Sequence, residues 1–408
     1  MKWWKCMFEP LDILAGADAR RLEDGGWGHV GTLAPAAFAG AVRTLILQQH
    51  GYCFGIDRTQ QSSEPAAEGE TSPRKIGERL GVPDQKGQIC PSASIRFAGP
   101  FYTPATDFRL LFPVPRHLLR GDYDWTVLSP LEDEGVCADA RLDGAHLLHS
   151  SNRDAQPVDC LTHCSGSQAG LCELLRDAAQ VPSTLYWRDL RTLWQTERRY
   201  GHKRETTGAV ADGFLFSRAN LRFKEEVVSL HGIQRRVSGG FAGLVAGIDD
   251  LIDVDTEHTV RLGGDARLAR LRLTDATSDL APAVALKQVV QDALRRDAVI
   301  VLYLATPGIF VDGWRPHFGE KEGVKLIAAA VDRPRVVSGW DYARRRPKPH
   351  QRVVPAGAVY FYRVLDKQLA RDFIDMYHLN QTVCSPEHGL TGYGLAMFGL
   401  WKPLGTTT

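Results

Sequence analysis

No stretch of this 408-residue chain approaches the ~18 consecutive apolar residues of a membrane-crossing helix. The opening Met1-Lys2-Trp3-Trp4-Lys5-Cys6 meets Glu9 and Asp12 too soon for a secretory signal, so a cytoplasmic protein without a membrane partner is the expectation. Charge of one sign is missing too. Lys and Arg number 49 against 48 Asp and Glu, a net charge of +1 that argues neither for nor against a polyanionic partner. No P-loop, nucleophile elbow, His-Glu-x-x-His or dinucleotide fingerprint is present, which leaves the common enzyme classes without support in the sequence. The eight cysteines lack paired Cys-x-x-Cys knuckles, and a reducing cytosol disfavours a disulfide framework. The one cluster is Cys160, His163, Cys164 and Cys172, with His146 and His149 upstream. It reads as a zinc site or as a bland Cys/His-bearing loop, and the spacing favours the loop.

What is present suits a large globular body. With 44% hydrophobic and 24% charged residues, the length predicts two or three domains with real cores. A strand is predicted over 7–14 and a helix over 35–49, opened by Pro35 and stopped by Gly51. Residues 56–75 carry almost nothing apolar and predict a disordered excursion, and 130–172 predict a second irregular insertion. Strands are predicted near 94–97, 108–112, 298–305, 324–331 and 359–364, with helices over 281–296 and 366–378. Gly213–Ser217 and Asn220–Glu225 predict a hairpin. The pattern is α+β, two ferredoxin-like (RRM-type) domains over 1–238 and 239–408 with large loop insertions.

Three segments set glycine beside basic or aromatic residues: 25–43, 344–355 and 391–399. Glycines let a backbone approach phosphate with its N–H groups aimed at the anion. The run Arg344-Arg-Arg-Pro-Lys-Pro-His-Gln-Arg352 is the densest basic stretch, and its prolines keep it extended. Arg far outnumbers Lys, which suits phosphate forks and base stacking, although a GC-rich genome produces the same bias. Asp249, Asp250, Asp253 and Asp255 alternate with Leu251, Ile252 and Val254 and read as a solvated face before they read as a divalent-metal site. His29, in a glycine-rich loop, has the right chemistry for a general base but no visible partner.

These residues resemble a known family. Met7-Phe-Glu-Pro-Leu-Asp12 and the stretch Leu33 to Thr44, with its Gly40-Ala-Val-Arg43 run, are similar to the start of the RAMP proteins. Thr196-Glu-Arg-Arg-Tyr-Gly201 and Leu262-Gly-Gly-Asp-Ala-Arg-Leu268 are similar to two later elements of that superfamily. Ser338-Gly-Trp-Asp341 and Val354-Pro-Ala-Gly-Ala-Val-Tyr-Phe361 resemble the third-subunit family of the type III-B CRISPR (Cmr) effector complex. Gly392-Tyr-Gly394 resembles the closing glycine-rich loop, with Gly399 later than the family spacing. The resemblance implies a subunit with no nuclease activity and no cofactor. Its implied partners are the 5′ repeat-derived tag of the guide crRNA, the large polymerase-like Cmr subunit and the backbone RAMP subunit, with target RNA as a further candidate. It makes Trp27, Phe38 and Tyr393 candidate base stackers, and Arg43, Arg199, Arg344 and Arg352 candidate phosphate partners. His29, Gly40, Gly392 and Gly394 complete the candidate RNA contacts. The rival from the enzyme class is a metal-independent RAMP endoribonuclease that processes guide precursor, with His29 as its base.

Overall fold

The computed structural model describes residues 2–14, 27–28, 33–51, 73–81, 94–104, 108–130, 147–164, 166–207, 210–230, 233–263, 267–341 and 346–402. The chain opens on β1 (Trp3–Pro10), which buries Cys6 and Phe8, and β2 (Trp27–Gly28). Helix α1 (Pro35–Gln49) has the predicted bounds, because Pro35 occupies the first turn where a missing N–H costs nothing. α2 (Pro73–Arg79), β3 (Arg96–Thr103) and β4 (Leu111–Pro113) follow. β5 (Leu118–Arg120) and β6 (Trp125–Val127) make a small hairpin, and β7 (Ser129–Pro130) pairs with β8 (Leu148–His149). Next come β9 (Cys160–His163), α3 (Leu171–Arg176) and β10 (Arg188–Asp189).

A long antiparallel arm of β11 (Trp194–Arg204) and β12 (Val210–Phe223) precedes the hairpin of β13 (Glu225–Leu230) and β14 (Ile233–Ser238). The predicted hairpin over 213–225 is therefore corrected. Both its arms belong to the single strand β12, whose partner is β11, so no turn forms between Ser217 and Asn220. β15 (Gly240–Ala246), β16 (His258–Arg261), β17 (Leu268–Asp275) and α4 (Thr277–Asp292) lead into the second sheet. That sheet holds β18 (Val299–Leu304) and β19 (Val324–Ala330). Two short pairs lie beyond it, β20 (Arg335–Val337) with β23 (Gln351–Val353) and β21 (Trp340–Asp341) with β22 (Arg346–Pro347). β24 (Val359–Val364), α5 (Lys367–Tyr377), α6 (Pro386–Gly389) and β25 (Ala396–Trp401) complete the order.

The fold mixes α and β, with mostly antiparallel sheets. The first sheet has eight strands, ordered β10-β9-β4-β3-β15-β1-β17-β16, and the second has four, ordered β19-β24-β18-β25. Within each, four strands lie in the fourth-first-third-second order of their occurrence along the chain: β17-β1-β15-β3 and β25-β18-β24-β19. The crossover from β1 to β3 carries α1 and α2, and that from β24 to β25 carries α5 and α6. The other crossovers run through loops among the described residues. β15 pairs with both β1 and β3, and β17 with β1, so one sheet gives way to the other at Ala276. Among the described residues no helix is long and apolar enough to cross a membrane.

Two cores result. Under α1, Phe38 meets Phe8 and Phe97 edge-on at 5.6 and 5.7 Å, in a space left open by Gly243, where a Cβ would lie 2.2 Å from its ring. The other core joins Phe101, Phe112 and Leu174 to Val301, Tyr303, Phe361 and Phe398, so both sheets share it. Tyr303 seals this junction by donating its hydroxyl to the Pro113 carbonyl at 2.7 Å.

His117 and His378 are buried and bonded to backbone carbonyls. His117 donates Nε2–H to the Ala178 carbonyl at 3.0 Å, and His378 donates to Ala283 at 2.8 Å while accepting from the Phe398 N–H at 3.0 Å. Burial lowers both pKa values to about 4, against 6.5 for an exposed imidazole. Between pH 6.5 and 4 the unfolded chain binds protons that the folded chain refuses, so the stabilisation present above pH 6.5 is lost as pH falls through that window. Urea unfolding followed by circular dichroism should show stability falling from pH 6.5 to 4, and a flat profile over that range would contradict the buried neutral assignment.

Candidate nucleic-acid interface

Between the sheets lies a small open groove with about 120 Å³ of space. Its walls are Pro35 of α1, Pro100 and Tyr102 of β3, Leu111 of β4, Leu161 of β9 and Phe241 of β15 on one side. Pro307, Arg335 and Val337 of β20, and Val353 of β23 face them. The Tyr102 ring stacks on Trp194 at 5.1 Å and tilts against Phe241 at 5.2 Å, which fixes its orientation. Burial pushes the Tyr102 hydroxyl well above its ordinary pKa, and the nearby Arg335 guanidinium partly opposes that. Arg335 is exposed and makes no ion pair among the described residues, so its charge is available at the rim. Arg116, at one end, is paired with Asp159 at 2.8 Å and Asp332 at 3.2 Å, and donates to the Val158 carbonyl at 3.1 Å. It ties the segment after β4 to the loop after β19. The groove is mostly apolar, with the buried Tyr102 ring in its wall and the Arg335 guanidinium at its rim.

The residues expected from sequence distribute differently. Phe38 is fully buried, and Tyr393 is 5% exposed, so neither ring has a free face for a base. Gly40 lies within α1, where its N–H belongs to the helical ladder and not to an anion. In the closing loop Gly392 N–H donates to Gly389 at 3.1 Å and Gly394 N–H to Pro307 at 2.8 Å. These N–H groups already have acceptors. The glycines serve chain crossing instead: Gly392, at φ +93°, would set a Cβ 3.1 Å from the Gly99 carbonyl oxygen. The loop thereby supports Pro35 and Pro307, which line the groove.

Arg43 donates to the carbonyls of Leu80 at 2.7 Å and Leu390 at 2.5 Å and lies 4.6 Å over the Phe97 ring. Burial lowers its pKa to about 10. It braces α1 against α2 and the closing loop. Arg199 sits on the arm among Glu197, Asp12, Arg222 and Arg267, a web of three guanidiniums around two carboxylates. Arg352 is exposed on β23, but it pairs in register with Val336, on the hairpin face opposite to Arg335, Val337 and Val353. Trp27 stands in β2 beside Ser217 of β12. His29 and Arg344 lie outside the described residues, as do most of 56–75.

The cysteine cluster does not converge. Cys164 and Cys172 face each other at 2.9 Å, Cys160 lines the groove, and His163 stacks on Tyr186 at 4.6 Å. The Asp residues near 250 have separate partners, Asp249 accepting from Trp4 Nε1 at 2.9 Å and Asp250 pairing with Arg79 at 2.8 Å. Among the described residues, no three or more His, Cys, Asp or Glu side chains group as a metal would require.

The Cas_Cmr3 profile, described as a CRISPR-associated protein, matches residues 7–401. This chain belongs to that family. Its members' signature therefore spans both sheets and the groove between them. No curated protein matches the chain. Among solved structures it is similar to a chain of the type III-B Cmr-beta bound to cognate target RNA and AMPPnP, state 1, at 13% identity. That likeness covers 91% of this chain and 88% of the other, with a TM-score of 0.43. A chain of the type III-B Cmr-beta bound to cognate target RNA is similar at 14% identity, 88% and 86% coverage and a TM-score of 0.40. Scores this low carry no argument, and the assignment rests on the family match.

Sequence reading missed Arg335. The available signal was Arg335-Val-Val set against Arg352-Val-Val, two short alternating arms with a proline after the second. Structural and interfacial arginines should separate on mutation. Arg43→Ala leaves two carbonyls without their donor and should cost about 1–3 kcal/mol of stability. Arg335→Ala, exposed and unpaired, should stay within about 0.5 kcal/mol of wild type. Chemical denaturation of the two variants checks the contrast, which fails if they melt alike.

Proposed function

We propose that this chain is the third, non-catalytic subunit of a type III-B (Cmr) CRISPR effector complex and holds the 5′ repeat-derived tag of the guide crRNA. The observation that carries this reading is the groove itself, set within a Cas_Cmr3 family match that runs from residue 7 to residue 401. A tag of single-stranded form is held by stacking its bases and neutralising its phosphates. The groove supplies a mostly apolar wall, and at its rim Arg335 supplies an exposed charge with no ion-pair partner among the described residues. The strand order of both sheets supports two ferredoxin-like units of RRM type. The large polymerase-like subunit and the backbone RAMP subunit are the proposed protein neighbours, and target RNA is a further one. The chain has no cleavage activity of its own in this reading, and the cytoplasm is its proposed location.

Titration of a labelled single-stranded repeat RNA at several salt concentrations tests the proposal. Each phosphate neutralised contributes a slope of about −0.7 in log K against log salt. Arg335→Ala should lower the slope by about one contact's worth, weaken binding and leave the RNA uncut in the presence of chelator. An unchanged slope would remove Arg335 from the RNA, and chelator-resistant scission would assign the chain to the endoribonucleases.

A further inference from the structure

A second surface beside the groove combines an open aromatic ring with an unpaired cation. On the β5–β6 hairpin, Arg120 stands in register opposite Trp125. Its guanidinium carbon lies 5.4 Å from the Trp125 ring centre and 5.2 Å from that of Trp187, which precedes β10. The two indoles meet edge to face, 6.1 Å apart at 81°. Trp187 remains 42% exposed.

Both sides of this cluster are held. The Arg120 backbone exchanges hydrogen bonds with Gln156 at 2.9 and 3.0 Å, and the Gly121 N–H donates to Asp124 at 2.9 Å across the turn. Trp187 is framed by Tyr186, whose N–H donates to Ala169 at 2.8 Å, and by Arg188, which pairs with Leu161 of β9. An indole so fixed presents its free face at little entropic cost. Arg120 makes no ion pair among the described residues, and its guanidinium lies over both rings.

The cluster adjoins the groove. β10 pairs with β9, whose Cys160 and Leu161 line the groove wall, and Leu190 lines it just after β10. Burial pushes the Cys160 thiol up to about 11, and Arg120 is among the charges that oppose this, which shows how near Arg120 is to that wall. Asp122 and Asp124 at the hairpin turn would repel phosphate, so a strand would reach Trp187 from the β9–β10 side.

We infer that Trp187, backed by Arg120 and Trp125, is a stacking platform for one unpaired base of a single-stranded RNA whose neighbouring nucleotide lies in the groove. This inference rests on the RNA-binding reading above and adds a second contact to it. A base on an indole and a phosphate near a guanidinium form a sequence-tolerant contact, one that loses stacking when the base is removed.

Fluorescence anisotropy with the full chain tests it, using a labelled ten-nucleotide oligouridylate and a strand of equal length with abasic riboses. Trp187→Ala should weaken oligouridylate binding about tenfold, and Trp187→Tyr should keep it within about threefold. Both variants should match wild type on the abasic strand, which also reports that the protein is folded. If wild type binds oligouridylate, Arg335→Ala weakens it and Trp187→Ala does not, the platform is refuted and the groove stands. The platform is equally refuted if Trp187→Ala spares RNA binding and abolishes assembly with neighbouring subunits, since the indole then anchors a protein. Absence of wild-type binding to either strand would overturn the groove and the platform together.

Discussion

Everything in this molecule that could hold a ligand depends on the core the two sheets share. β3, β4 and α3 face the second sheet through Phe101, Phe112 and Leu174, and Tyr303 closes the seam onto Pro113. Removing the packing between Phe112 and the second sheet would separate the walls of the groove. Burial of large side chains on both sides stabilises the junction by about 1.5–3 kcal/mol each. Arg116 then latches its edge through Asp159 and Asp332. The groove is therefore part of a continuous core with one side left open.

The arginines differ in how far their charge is already met within the protein. Arg43 is occupied by carbonyls, and Arg199, Arg222 and Arg267 share Asp12 and Glu197. Arg335 and Arg120 have no such partners among the described residues, and both border the seam. Exposed ion pairs of the first kind add little stability.

Local chemistry was legible where one interaction decides the outcome. Helix α1 is readable because Pro35 fixes its start, and Val299–Leu304 is readable because an unbroken apolar run must lie between layers. Glycine-rich segments were ambiguous for a physical reason. A missing side chain lets backbone approach phosphate or backbone approach backbone, and at Gly392 and Gly394 the approach is to the protein's own chain. Phe38 and Tyr393 misled in the same way, since an aromatic beside glycine suits a base and a core equally. The first sheet was not legible at all, because β15 and β17 join β1 across more than 230 residues of sequence, and only pairing reveals it. Motif order along the chain reached the family where local patterns did not.

The most direct test of the account is ultraviolet crosslinking of guide RNA to the assembled particle, with the attached peptides identified by mass spectrometry. The account predicts crosslinks from the RNA 5′ end to peptides carrying Tyr102 and to the β20–β23 hairpin, on the two walls of one groove. Crosslinks confined to other surfaces of this chain, or none in a particle that has assembled with guide RNA, would contradict it.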